Sequence, residues 1–251
     1  MTGIRAPSRR GAALLAALAA LTGAGFVAMD DVEEPFTPAE YAAAIQSTVS
    51  GFTVTAVLGP DEIPLPLDVS NFLLDHPDLS AFIVNRRKIA PYRIVMLGPR
   101  RSSADDGEGT KGVVTLIDAT ERHRLYYGEG VHHSRLFPDI RASAVISMDL
   151  GETTGPDSRK LTVTTFHVWV KIKNRFVSSL VKALRPFLQG TVVRKFSKAF
   201  SVAHAVGRLF VRDPEAAAED VRVFPNLFAE DRPVLLEMIA RLKTPPAPSR
   251  P

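Results

Sequence analysis

The chain has no cysteine among its 251 residues. That excludes a disulfide framework, a thiolate metal site, a cysteine nucleophile and a lipobox together. It also suits an oxidising compartment, where a stray thiol is a liability. Catalytic signatures are missing too: there is no Gly-x-Ser-x-Gly elbow, phosphate-binding loop, dinucleotide fingerprint or His-Glu-x-x-His helix. The histidines are scattered as His76, His123, His132, His133, His167 and His204. His132 and His133 are adjacent on an expected strand end, so they point to opposite faces and do not share a metal. A surface or loop position is expected for both. The run Ala104-Asp105-Asp106-Gly107-Glu108-Gly109 has the look of a calcium loop without its acidic spacing or distal glutamate, and it reads as a solvated loop. No metal and no cofactor is expected.

Negative charge is absent from one long stretch. Residues 171–212 contain no Asp or Glu but carry Lys171, Lys173, Arg175, Lys182, Arg185, Arg194, Lys195, Lys198, Arg208 and Arg212. Because the whole chain is only +4, the remainder beyond the N-terminal segment is net acidic, and the molecule is electrically two-ended. In the same stretch apolar residues recur every three or four positions, among them Phe176, Leu180, Leu184, Val192, Phe196, Phe200, Val206 and Phe210. That spacing predicts a long amphipathic helix. Pro186 and Gly190 predict a kink or brief break within it. The cationic face, with Lys182, Arg185, Arg194, Lys195 and Lys198, reads either as a solvated surface or as a contact for an anionic membrane. In the second case each basic residue near the lipid adds about 1 kcal/mol. Nucleic acid is not an expected partner, because the aromatics lie on the apolar stripe rather than among the charges.

The N-terminus has the parts of a bacterial export signal. Arg5, Arg9 and Arg10 precede an apolar run over 11–21 and the small residues Thr22, Gly23 and Ala24. Residues 1–28 are therefore read as a cleaved signal peptide, with an uncleaved anchor as the alternative because the weakly polar run extends to Ala28. Either places the protein outside the cytoplasm, in the periplasm or another extracytoplasmic space. Residues 29–48 read as a linker and a short helix that Thr37 caps, with Pro38 at its first position.

Beyond the linker, strand patterns cover 52–58, 92–97, 112–117, 123–129, 142–150 and 161–173, with a short edge strand near 101–104. Gly59-Pro60-Asp61 is expected to end the first. Two short helices, 69–74 and 79–88, separate the first two strands and turn Phe72, Leu73, Leu79, Phe82 and Ile83 toward the sheet. After the long helix come a helical extension over 213–243 and a Pro-rich, disordered tail over 244–251. The extension either covers a cavity mouth or packs on the domain.

These elements describe an α+β chain: an antiparallel, curved sheet of six or seven strands gripping a long C-terminal helix. The order resembles the START-like, or Bet v 1-like (SRPBCC), helix-grip superfamily over residues 49–212. The resemblance implies seven strands, so the edge strand near Arg101 is required. It also implies a hydrophobic cavity between sheet and helix, and hence an exported, non-enzymatic carrier of a hydrophobic small molecule or lipid. The same superfamily implies one alternative, an enzyme of the polyketide cyclase or dehydratase kind. A membrane-surface envelope module acting through the basic helix is another. Cavity candidates are Thr165, His167 and Trp169 on one face of the last strand and Phe176, Leu180, Phe196 and Phe200 on the helix. His167 is either a polar contact for a ligand head group or an ordinary hydrogen-bonded or outward-facing histidine. Glu129 and Asp149 are weaker candidates of the same kind.

Overall fold

The computed structural model describes residues 36–133, 139–173 and 175–243, with backbone alone for 175–188. Helix α1 (Pro38–Ser50) begins where Thr37 and Glu40 close a reciprocal capping box, and Pro38 supplies a pre-set first turn. Strand β1 (Val54–Ile63) leads to the short helices α2 (Leu67–Asp75) and α3 (Pro77–Arg86). Then follow β2 (Arg93–Gly98), β3 (Arg101–Asp105), β4 (Thr110–Ala119), β5 (His123–His132), β6 (Ile140–Thr154) and β7 (Lys160–Ile172). The chain continues into α4 (Arg175–Arg212), α5 (Pro214–Val223) and α6 (Asp231–Leu242). The strands form one seven-stranded antiparallel sheet in the order β1-β7-β6-β5-β4-β3-β2. The short strand expected near 101–104 is present as β3, but not at the edge: it pairs with β2 and β4 on its two sides, and β2 is the edge strand.

Alternation decides the two faces. Phe166, Val168 and Val170 of β7, Ala144, Ile146 and Met148 of β6, and Tyr126 of β5 are buried on the inner face, against α2 and α4. The outer face is covered in part by α1, where Thr48 bonds Ser143 at 2.9 Å and Tyr41 bonds Thr115 at 3.0 Å. Phe36, Tyr41 and Tyr127 stack their ring edges there, with centroids 5.2 to 6.3 Å apart.

Two expectations about chain breaks fail for physical reasons. Strand β1 does not stop at Gly59 but runs on to Ile63 across a bulge between Leu58 and Asp61. Gly59 makes the bulge possible: its φ is +105°, and a Cβ there would lie 2.5 Å from the Thr164 carbonyl oxygen. Likewise, of the kink or brief break expected near Pro186 and Gly190, the break is absent: α4 continues as one helix through both. One proline removes a single hydrogen bond, and a 38-residue helix retains the rest of its ladder on both sides.

The C-terminal extension packs on the domain, as one of its two expected roles. Asp213 caps α5 by accepting the Ala216 N–H at 3.1 Å, and Ala217, Val221, Leu235 and Ile239 are fully buried in the common core. Among the described residues, no helix is long and apolar enough to cross a membrane.

Candidate functional site

Glycine and alanine on neighbouring strands leave the inner face of the sheet locally bare. Gly128 of β5 faces Ala144 of β6, and Gly130 faces Ala142. Beside them stand Val54 of β1 and Val170 and Ile172 of β7, and α4 passes above with Thr191, Val192 and Lys195. Short side chains under a helix leave space, and here the space is a pocket of about 100 Å³. Its walls are mostly apolar, and the polar lining comes from Thr191 on the helix and from Thr110, His132 and Lys195.

That polar end is built from a tight turn. The Asp106 carboxylate, 3% exposed, accepts the Glu108 N–H at 2.7 Å and the Thr110 N–H at 3.2 Å through Oδ1. Its Oδ2 pairs with Lys195 Nζ, which is 15% exposed on α4. Three residues on, Lys198 pairs with Glu108 and sits 5.8 Å from the centre of the Tyr92 ring. His132 Nδ1 bonds Thr110 Oγ1 at 2.9 Å, and the ring also meets the Gly109 backbone as a hydrogen-bond partner. The turn that reads as a solvated loop is therefore a buried anchor at Asp106, and His132 faces the interior rather than the surface. His133, one residue on, turns the other way to Asp139 at 2.6 Å.

Burial, and then the positive charge of Lys195, push the His132 imidazole below its ordinary pKa, with Asp106 opposing. The unfolded chain thus takes up a proton near pH 6.5 that the folded site accepts only at lower pH. Stability contributed at His132 is complete above that value and is lost as pH falls below it. His132→Phe is expected to flatten the acid limb of a stability profile between pH 7 and pH 5 in urea titrations. An unchanged limb would contradict this placement of the ring.

The other expected site residues are distributed differently. Thr165, His167 and Trp169 lie on the outer face of β7, half exposed and away from α4, with the His167 and Trp169 rings stacked at 6.2 Å. Their strand mates Phe166, Val168 and Val170 face inward instead, because that set is the more apolar and the helix covers it. Phe196 and Phe200 are inside, but they pack on Phe166 at 5.7 and 5.6 Å and fill space rather than line it. The side chains of Phe176, Leu180, Lys182 and Arg185 lie outside the described residues. Of the remaining cations, Arg194 is exposed, whereas Lys195 and Lys198 are committed to Asp106 and Glu108. The cationic stripe is partly neutralised by a loop about ninety residues away in sequence. Glu129 and Asp149 bond Lys173 and His123 at 2.6 and 2.9 Å.

A larger groove of about 400 Å³ lies between α2, α6 and the turn joining β4 to β5. Four of its charges pair, Arg241 with Asp68 at 3.0 Å and Lys160 with Glu152 at 2.6 Å, and Glu121 and Arg122 line it as well. The pocket beneath α4 combines apolar walls with underused polar groups, and that combination marks a ligand site better than size does. Among the described residues, no cluster of His, Asp and Glu is arranged to hold a metal ion.

Three signals for this site are present in the sequence: the Gly128-x-Gly130-x-His132 alternation, the small Ala142 and Ala144, and an acidic turn matched by Lys195 and Lys198 on a helix. No protein-family model matches the chain, and no curated protein matches it. Among solved structures, the chain is similar to a conserved protein from Geobacillus kaustophilus, with 15% identity over 60% of this chain and 95% of that chain and a TM-score of 0.36.

Proposed function

We propose that this protein binds a small apolar molecule, without chemical conversion, in the pocket between the inner face of the sheet and α4. The observation that carries the reading is the apolar pocket under the helix, walled by Val54, Ala142, Val170, Ile172 and Val192 and open at the bare positions Gly128 and Gly130. A START-like helix-grip assignment supports it: β1, two short helices, six further strands and a long helix, with β1 beside β7 in the sheet, is the order that resemblance implies. A signal-like N-terminus, in residues outside the described set, supports an extracytoplasmic location.

Size refines the ligand class. Drug-sized ligands occupy pockets of roughly 300 Å³ or more, whereas a dry cavity of about 150 Å³ accepts benzene. A pocket of about 100 Å³ is smaller than that and holds a short branched chain or part of a single ring, not a whole lipid.

The test is a titration of the protein with toluene, followed by methyl resonances. Wild type is expected to show saturable shifts at Val54, Val170 and Val192. Ala142→Leu fills the floor with three extra carbons and costs about 1 kcal/mol of stability, as modest overpacking does. It is expected to abolish the toluene shifts while leaving the spectrum folded. Unchanged saturation in that variant, or no shift in wild type, would end the reading.

A further inference from the structure

The basic residues are not all on α4. Residues 79–104 contain no Asp or Glu either, and they carry Arg86, Arg87, Lys88, Arg93, Arg100 and Arg101. This second acid-free run passes through β2, the edge strand of the sheet, and into β3. We infer that the open side of β2 takes up an extended peptide as an eighth strand, and that the peptide carries acidic residues on both sides of its apolar ones.

The direction of the main-chain groups follows from the neighbouring ladder. The Leu116 N–H donates to the Arg100 carbonyl at 2.8 Å. Bonded and non-bonded pairs alternate along antiparallel strands, so Ser102 and Ala104 turn their main-chain groups to β4, while Arg101, Ser103 and Asp105 turn theirs to β2. Their partners Arg93 and Val95 are therefore bonded to β3, which leaves the N–H and C=O of Ile94 and Met96 on the open side. Among the described residues no hydrogen bond from another element reaches them. An open edge is a template for a further strand, and proteins commonly blunt it with charges or proline. Strand β2 has no proline, and Arg93 is its one charged residue. Val95, 60% exposed, and Leu97, 37% exposed, stand on its outer face.

Charge decides what the incoming strand carries. Arg86 and Arg87 are committed to Asp220, but Lys88 and Arg93 near the start of β2 and Arg100 just past its end are exposed and form no ion pair among the described residues. A second copy paired about a two-fold would set Arg93 opposite Gly98 and beside the other copy's Arg100, so like charges would meet at both ends. A peptide with acidic ends meets opposite charges there instead. Lipid and nucleic acid offer no alternating row of N–H and C=O groups to complete the ladder.

The probe is a fluorescein-labelled peptide, Asp-Glu-Val-Thr-Val-Thr-Val-Asp-Glu, followed by fluorescence anisotropy. Wild type is expected to bind it saturably, and to bind a version with lysine at the acidic positions about tenfold more weakly. Only one edge of the peptide pairs with β2, so N-methylation of one alternate set of its amides should weaken binding about tenfold, and of the other set by less than about twofold. Met96→Pro removes an outward N–H without touching the ladder to β3, and it should weaken binding to the same degree in a protein whose spectrum stays folded. Arg93→Gln with Arg100→Gln keeps side-chain donors without their charge; it should cost about fivefold and flatten the salt dependence. No saturable binding, equal losses from the two methylation patterns, or equal affinity for the lysine peptide would each overturn the inference. So would a wild-type dimer that Met96→Pro abolishes, which would make the occupant a second copy, or displacement of the peptide by phosphatidylglycerol vesicles. Toluene binding beneath α4 stands or falls separately.

Discussion

Replacing both Arg86 and Arg87 with alanine is expected to destabilise the protein by about 3 to 5 kcal/mol, more than Asp220→Ala does. The Asp220 carboxylate is fully buried, yet it receives Arg86 Nε at 2.9 Å, Arg87 Nε at 2.7 Å and Arg87 Nη2 at 3.0 Å. Arg87 also donates to the Ala216 carbonyl at 2.7 Å, so one guanidinium ties α3 to α5 twice. The two arginines differ from their partner in access to water, with side chains 45% and 32% exposed against 0% for Asp220. That asymmetry sets the ranking. Deleting the carboxylate frees two cations that reach solvent, and the loss is that of its charged hydrogen bonds, about 2 to 3 kcal/mol. Deleting both arginines strands an ion in the core, and the desolvation cost is no longer offset. Urea denaturation of the single and double variants measures both values. Equal effects, or a double variant within about 1 kcal/mol of wild type, would show that this clasp does not hold the C-terminal extension.

Phe196→Ala is expected to cost about 4 kcal/mol, against about 1 kcal/mol for Ala142→Leu. Phe196 is 2% exposed and meets Phe166 at 5.7 Å, with Phe200 closing the other side of Phe166 at 5.6 Å. Among the described residues, these rings join α4 to the sheet through aromatic contacts. Removing one deletes its transfer free energy and leaves a cavity that the surrounding strands, pinned by their ladders, close only in part. The contrast with Ala142 separates the filled portion of the interface from the open one: truncation injures the first, and enlargement is tolerated in the second. Chemical denaturation of the two variants tests this directly. A Phe196→Ala loss below about 1.5 kcal/mol would mean that the helix does not rely on the ring cluster.

Local chemistry made much of the secondary structure readable in advance. Thr37 before Pro38 and Asp213 before Pro214 begin helices because each places a side-chain acceptor over free N–H groups. The alternation in β7 and the three-to-four spacing in α4 follow from the geometry of a strand and a helix, which the next few residues already express. Each of these signals is short-range, so a linear reading reaches it. Gly59-Pro60 misled that reading because a turn signal and a bulge signal use the same residues, and only the partner strand β7 distinguishes them.

Which side of a strand becomes the interior is not a short-range property. Period two groups His167 with Trp169 and Phe166 with Val168, but the position of α4 decides that the second set is inside. The pocket has the same origin: Gly128, Gly130, Ala142 and Val170 come from three strands, and they leave room only once paired in register beneath a helix. Lys195 and Asp106 are 89 residues apart, so their charges read as separate surfaces until folding brings them together. Composition and periodicity determined an antiparallel sheet and a long amphipathic helix; the packing of one on the other decided the pocket, its polar end and the partners of the basic residues, because burial and pairing depend on which distant groups share a face.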